Sequence, residues 1–244
     1  MSDLIFDIEK LGKDCCEFQG QSHELRGHAT ELYKKNETDQ EFSIRLRVDG
    51  LMVKLANNMS AKIKSEYENE NTSYQLALLS SFVRTHFIIN DHILNSDLVE
   101  ASILTRKQLE SLTRLHELDT KTVDKLSGKT PNVQNVLKGP GKQLYPHLSS
   151  IAHFADPRVS EMLNIVNQGG GLVGPSMVPI YNKQAHACYE THAFIAIYFL
   201  FWFIGKQQEI YEHIDGADDM NFLMQIVYTA KESGLLIIPD DKNT

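Results

Sequence analysis

The stretch ASILTRKQLESLTRLHELD, residues 101–119, repeats apolar side chains every three or four residues, which is the spacing of one face of an α-helix. Together with the residues just before it, this stretch predicts a helix of about six turns that packs inside a helical bundle. The predicted apolar face is formed by Leu98, Ala101, Leu109, Leu112 and Leu115.

A row of charged side chains runs along the same predicted helix. Arg106, Glu110 and Arg114 stand four residues apart and share their side of the helix with Val99 and Ile103. Two interpretations fit this row. It is either an exposed ladder of ion pairs, each contributing about 0.3 kcal/mol, or a polar site packed against a second helix.

The stretch KQLYPHLSSIAHFADPR, residues 142–158, is the candidate for that second helix. Pro146 suits the first position of a helix, and Asp156-Pro157 predicts its end, so the helix is about ten residues long. Tyr145, Ser149 and His153 recur every fourth residue on the flank of its apolar stripe. His153 therefore meets either water or another helix.

These two segments carry a resemblance to a known group of proteins. Arg106-x-x-x-Glu110, followed after about thirty residues by Tyr145-x-x-x-Ser149-x-x-x-His153, resembles a family of uncharacterised bacterial all-helical proteins that is distantly similar to HEPN domains. The resemblance covers residues 101–158. It implies, as one alternative, an RNA-cleaving enzyme of a bacterial defence or toxin system, in which His153 is the general acid/base and Arg106 steadies phosphate charge.

HEPN ribonucleases carry an Arg followed, after four to six residues, by a His on one helix, and no Arg of this chain has such a His. The interpretation favoured over RNA cleavage is therefore a ligand- or partner-binding protein with a polar cluster between two helices. In that cluster Arg106 pairs with Glu110, while His153 donates to a carboxylate or to Tyr145. Ser149 and Arg114 complete the predicted site. The same cluster could equally fix the register of the two helices.

Composition excludes several classes of function. The chain has 244 residues and a formal net charge of -8, which argues against binding to duplex DNA. Its three cysteines form no disulfide framework and no CxxC motif, and its N-terminus does not resemble a signal peptide, so we expect a cytoplasmic protein. The apolar run 193–204 is too short to span a membrane and predicts a buried central helix.

The ten histidines do not predict a metal site. His86/His92, His147/His153 and His186/His192 each lie six residues apart, so the members of a pair face different directions on a helix. We expect no metal and no cofactor. Among these residues His86, inside a nearly continuous apolar helix, is most simply a core histidine with a satisfied hydrogen bond.

The complete pattern predicts an all-α bundle of about seven to nine helices, with no sustained strand alternation. Residues 1–70 are expected to form N-terminal helices packed on the bundle, residues 71–238 the core bundle, and residues 239–244 a polar tail. The partner is unknown. A homodimer is compatible with the sequence, single-stranded RNA is the partner under the enzyme alternative, and no membrane association is expected. Helices are predicted over 3–36 with a break at Gly20, and over 39–67, 74–92, 101–119, 159–166, 182–214 and 217–233, with a glycine-rich connection over 168–175.

Overall fold

The computed structural model describes residues 7–135, 142–157, 159–163, 165–167 and 173–236. Over these ranges the chain forms nine α-helices and one short β-hairpin, which confirms the predicted all-α class. The predicted tail 239–244 and the glycines at 169–171 lie outside the described residues. The elements are α1 (Ile8–Asn36), α2 (Asp39–Asn58), α3 (Glu70–Leu94), α4 (Leu98–Leu118), α5 (Val123–Leu126), α6 (Leu144–Ala152), α7 (Val159–Met162), β1 (Ile165–Asn167), β2 (Val173–Pro175), α8 (Gln184–Ile210) and α9 (Ala217–Glu232).

Helix α4 is the element around which the site is built, because it contacts α3, α6, α7 and α8. The apolar face predicted from its sequence is buried against these neighbours, with Leu109, Leu112 and Leu115 fully inaccessible to solvent. Between α3 and α8, the rings of Phe82 and Phe199 stack with their centroids 3.7 Å apart. This side of α4 therefore belongs to the main core, and the opposite side is left for α6.

Helix α8 contains the apolar run 193–204 and lies among α2, α3, α4 and α9. It is the one helix of the described chain that is long and apolar enough to cross a membrane. Its most apolar stretch of 18 residues is 56% buried inside the bundle. Length and composition alone therefore do not distinguish a membrane-spanning helix from the buried central helix of a bundle.

Helix α2 is shorter than its sequence predicted. It ends at Asn58, not near Tyr67, because the next segment forms backbone hydrogen bonds with the end of α8. The N–H of Lys64 donates to the carbonyl of Ile210 at 2.9 Å, and the N–H of Glu212 donates to the carbonyl of Lys62 at 2.9 Å. These bonds satisfy backbone groups that a longer α2 would have used itself.

Helix α1 continues through Gly20, where the sequence predicted a break. Every residue from Ile8 to Gln21 is exposed, and the helix meets the bundle only from Ser22 onward. There the Arg26 Nε atom lies 3.0 Å from Asp97 Oδ2, at the turn between α3 and α4. The C-terminal half of α1 is thus the part packed on the bundle.

The chain between α6 and α8 also differs from its prediction. Helix α7 has four residues, not the eight predicted over 159–166, and it is followed by the strands of an antiparallel hairpin in which Val166 lies opposite Gly174. The hydrogen-bonded ladder extends over only three residue pairs. A pattern of this length is too short to show the alternation by which strands are recognised in a sequence.

Candidate functional site

Two antiparallel helices bring the predicted site together. Helix α4 carries Arg106 and Glu110, and α6 carries Tyr145 at its start and His153 at its C-cap. Because Arg106 meets His153 while Glu110 meets Tyr145, the two helices run in opposite directions. Side chains that are 35 to 47 residues apart in the chain are thereby brought within hydrogen-bond distance.

Arg106 is the centre of this group. Its Nη1 atom donates to His153 Nε2 at 3.1 Å, and its Nη2 atom donates to the Tyr145 hydroxyl at 3.1 Å. The guanidinium carbon also lies 5.1 Å from the centre of the Tyr145 ring, within the range of a cation-π contact. One planar group therefore joins both ends of the polar face of α6.

Glu110 closes the network. Its Oε1 atom accepts a hydrogen bond of 3.0 Å from the Tyr145 hydroxyl and lies 3.2 Å from Arg106 Nε. Nε itself makes no hydrogen bond within the described chain, so its contact with Glu110 is an ion pair alone. The hydrogen bond with Tyr145, with the charge of Glu110 adding to it, raises the pKa of the Arg106 guanidinium. Arg106 is therefore a permanent cation.

The role of His153 differs from the one predicted. We expected His153 to donate a hydrogen bond to a carboxylate or to Tyr145. It accepts one from Arg106 instead, since a guanidinium has no acceptor. The Nε2 atom of His153 must then be unprotonated, and the neutral ring carries its hydrogen on Nδ1. The ring is exposed, so Nδ1 faces solvent or a ligand.

Two other predicted residues do not join this network. Ser149 lies on the same face of α6, but its hydroxyl makes no hydrogen bond to any residue that the structure describes. Arg114 is buried and points elsewhere, because it donates to the carbonyl of Leu126 at 3.1 Å and to that of Lys129. The structure therefore does not bring Arg114 to the Arg106 network. Arg114 holds the loop after α5 against α4.

A cleft lies on the opposite flank of α6. Rotation by about 100° per residue separates the face that carries Tyr145 and His153 from the one that carries His147 and Ile151. The second face is one wall of a 420 Å³ cleft whose other walls are α4, α7 and α8. Helix α6 thus has the Arg106 network on one side and a cavity on the other. The cleft is lined by Ser102, Thr105, His147, Leu148, Ser150, Ile151, Asp156, Val159, Glu161, Met162, Gln184, Ala187, Cys188 and Thr191.

Cys188 lies in this cleft, and its environment makes it an unreactive thiol. Burial raises the pKa of the Cys188 thiol to about 11, and only a weak contact with the Ser102 hydroxyl, at 4.0 Å, acts in the other direction. Nucleophilic chemistry requires the thiolate. At neutral pH the cleft therefore holds a neutral thiol, which behaves as a small apolar residue.

Sequence reasoning missed a second polar group in the centre of the bundle. His86 on α3 is fully buried, and its Nε2 atom lies 2.7 Å from Asp49 Oδ1 on α2. Asn90 donates to the same carboxylate oxygen at 2.9 Å. His86 is thus the core histidine that the sequence suggested, but only one of its ring nitrogens is satisfied, because Nδ1 has no partner within the described chain.

His192 on α8 stacks on His86 with ring centroids 4.7 Å apart. Neither of its nitrogens has a hydrogen-bond partner in the described structure, and the hydroxyl of nearby Tyr189 has none either. Burial, with the charge of His86 adding to it, lowers the pKa of His192 far below its ordinary value. The described residues contain no group of three His, Cys, Asp or Glu side chains that could hold a metal ion.

Comparisons with protein-family models, with curated proteins and with solved structures find no significant match.

Proposed function

We propose that this protein binds a small organic molecule in the cleft between α4, α6, α7 and α8. The observation that carries this proposal is the cleft itself. Its 420 Å³ volume lies within the range of about 300–1,000 Å³ that is usual for ligand sites. Its walls combine apolar side chains with hydroxyl, carboxylate, amide and imidazole groups. It opens among four helices, so its shape is set by the packing of the bundle.

The Arg106 network has a positioning role in this proposal. Helix α6 has nine residues, fewer than the about 12 to 15 that an isolated helix needs in water. Its attachment to α4 therefore depends on contacts outside the helix. Leu148 and Ile151 are buried beneath it, and Arg106 binds both Tyr145 and His153 along its flank. Holding α6 in this way holds one wall of the cleft.

The chemistry of the chain is consistent with a cytoplasmic location for such a binding protein. Cys15, Cys16 and Cys188 are all free, and the first two are exposed. Exposed free thiols are stable in a reducing compartment. We keep the cytoplasm as the proposed location on this ground.

The test is a small-molecule screen by thermal shift, repeated on two matched variants. Ala187 lines the cleft on α8, so Ala187→Trp fills the cavity with an indole. Ala77 is an exposed residue on α3, so Ala77→Trp adds the same side chain away from the cleft. We expect compounds that stabilise the parent protein and Ala77→Trp but not Ala187→Trp. If every stabilising compound acts equally on both variants, the cleft is not the binding site.

One contact favours a second candidate, RNA cleavage. An arginine and an exposed histidine lie 3.1 Å apart across two helices, at Arg106 and His153. A cation beside a histidine is an arrangement that phosphate chemistry can use. In this arrangement, however, the Nε2 atom that would act as a base is already accepting a hydrogen bond from Arg106.

Incubation of the purified protein with single-stranded RNA tests this candidate. Cleavage that is lost in His153→Ala, but retained when the exposed His213 is replaced in His213→Ala, would support an enzyme. Absence of cleavage in the parent protein, over a range of divalent cations, would remove the candidate.

A further inference from the structure

The hydroxyl groups in the walls of the cleft share one property. Each has its single hydrogen committed to a backbone carbonyl of its own helix, so it can only accept a hydrogen bond from a molecule in the cleft. Three of these bonds run to the carbonyl four residues earlier and one to the carbonyl three residues earlier. They are Ser102 to Leu98 at 2.8 Å, Thr105 to Ala101 at 2.8 Å, Thr191 to Ala187 at 3.2 Å, and Ser150 to His147 at 2.8 Å.

The charged groups of the cleft are acceptors as well. Glu161 lines it, and an ionised carboxylate has lone pairs but no hydrogen to donate. Asp156 lines it as well but already has an interaction partner of its own. Among the lining residues that the structure describes there is no lysine and no arginine. The cleft is therefore rich in acceptors and carries negative charge, in a chain whose net charge is -8.

Two further polar side chains, His147 and Gln184, line the cleft and can donate as well as accept a hydrogen bond. The rest of the wall is apolar. Leu148, Ile151, Val159 and Met162 line the cleft, and the first three are almost completely buried behind it. An apolar body that covers these side chains would gain the free energy of removing their remaining surface from water. The ligand that fits both kinds of wall thus has an apolar body and a group rich in hydrogen-bond donors.

We propose that the cleft binds an organic cation, an ammonium or guanidinium group carried on a small apolar body. This proposal rests on the proposed function of the cleft. An ammonium group offers three N–H donors and no acceptor, which complements the acceptors of Ser102, Thr105 and Thr191. Its charge is attracted by the carboxylate of Glu161. A carboxylate or phosphate ligand would find like charge and no donor from the wall hydroxyls.

Three probes with the same apolar body test the sign of the charge. Phenethylamine is a cation at neutral pH, 2-phenylethanol is neutral, and phenylacetate is an anion. We expect titration calorimetry at low salt to show binding of phenethylamine, binding of 2-phenylethanol at least about tenfold weaker, and none of phenylacetate, because charge-assisted hydrogen bonds are the stronger ones. Equal or tighter binding of phenylacetate overturns the proposal, as does the absence of binding by all three probes.

Isosteric variants then test the two kinds of acceptor. Glu161→Gln removes one charge from the cleft, and we expect about a fivefold loss of phenethylamine affinity, whereas Glu24→Gln on the exposed side of α1 should leave it unchanged. Thr191→Val removes one wall hydroxyl and should weaken binding about threefold. Thr229 on α9 makes the same type of bond to its own helix, at 2.9 Å, so Thr229→Val is its control.

The outcomes separate this proposal from the proposed function. If screened compounds bind in an Ala187-dependent way but are neutral or anionic, the cleft remains a ligand site and the inference about cations is wrong. If no compound depends on Ala187, the proposed function itself fails. Unchanged phenethylamine affinity in both Glu161→Gln and Thr191→Val would show that the probe binds without the acceptors described, which also overturns the inference.

Discussion

Replacing His192 by phenylalanine should stabilise this protein, and the gain should grow as the pH falls. His192 is fully buried, it stacks on His86, and neither of its ring nitrogens has a partner in the described chain. A buried polar group without a hydrogen bond costs about 1–3 kcal/mol. Phenylalanine keeps an aromatic ring in contact with His86 and Tyr189 while it removes both nitrogens, at a packing cost below about 1.5 kcal/mol.

The pH dependence follows from the depressed pKa of His192. Burial keeps the folded-state pKa far below the ordinary value of 6.5, so the unfolded chain binds one more proton than the folded protein between those two values. The contribution of the neutral His192 ring to the free energy of unfolding is fully present above pH 6.5 and is lost as the pH falls below 6.5. The loss is about 1.4 kcal/mol per pH unit, or about 2 kcal/mol at pH 5.0. His192→Phe does not suffer this loss.

Urea denaturation at pH 8.0 and pH 5.0 measures both effects. We expect His192→Phe to match or modestly exceed the parent protein in free energy of unfolding at pH 8.0, and to exceed it by about 2 kcal/mol more at pH 5.0. His23→Phe, at an exposed position of α1, is the control and should leave the difference between the two pH values unchanged. A gap between His192→Phe and the parent that stays constant with pH would refute the assignment of a neutral, desolvated imidazole.

Three further predictions concern α6 and the cleft. Arg106→Met should lower the free energy of unfolding by about 1–2 kcal/mol, because Tyr145, His153 and Glu110 lose a shared partner in a partly exposed setting. Arg106→Lys should recover less than half of the lost free energy, since an ammonium cannot reach two acceptors in one plane. A full recovery in urea denaturation would contradict the network. Phe154 lies just after α6 with a φ of 50° and is 63% exposed. Phe154→Gly should therefore raise the free energy of unfolding by about 1 kcal/mol, while Phe154→Ala should not. Equal effects of the two variants in thermal denaturation would argue against backbone strain. The pKa of the Cys188 thiol is raised to about 11, while Cys15 and Cys16 are exposed. A thiol reagent at pH 8 should therefore modify Cys15 and Cys16 rapidly and Cys188 slowly. Three equal rates would contradict the burial of Cys188.

Most helices could be predicted because their apolar faces extend over many turns. The final helix was predicted over 217–233 and is observed over Ala217–Glu232, which is confirmation to within one residue. The predicted break in α1 was wrong for a physical reason. Gly20 is exposed, and a helical glycine costs only about 1 kcal/mol, which a 29-residue helix tolerates.

The end of α6 was predicted from the wrong signal. Asp156-Pro157 was expected to terminate the helix, but α6 already ends at Ala152, where Phe154 adopts a left-handed backbone conformation. The N–H of Ala155 then donates to the carbonyl of Ser150 at 2.9 Å, and that of Phe154 to Ile151 at 3.1 Å. This is the hydrogen-bond pattern that usually places glycine after a helix, so phenylalanine at this position gave no warning.

The candidate site was predictable in part. Spacing alone identified Arg106, Glu110, Tyr145 and His153, and the structure brings these four together. Spacing could not place Arg114, because residues four apart drift around a helix by about 40° and the loop after α5 lies within its reach. The pairing of Asp49 with His86 depends on how α2 packs on α3, which no local pattern encodes.

The sequence also contains a signal for the cleft. Ser102 and Thr105 interrupt the buried side of α4, and Thr191 stands at the start of the apolar run of α8. Hydroxyl residues in the interior of a helix either bond their own backbone or face a polar space. Ser102, Thr105 and Thr191 bond their own backbone, but their oxygens can still accept a hydrogen bond, so three of them on two helices in contact favour a polar cavity between those helices.

A methyl NMR titration with phenethylamine tests most directly the claim that the cleft binds an organic cation. Ile151 and Met162 line the cleft, whereas Ile226 and Met52 are buried in other parts of the bundle and serve as internal controls. We predict saturable chemical-shift changes for the methyl groups of Ile151 and Met162, reduced in Glu161→Gln, with Ile226 and Met52 unaffected. Shifts confined to other methyl groups, or no saturation at Ile151 and Met162, would contradict the account.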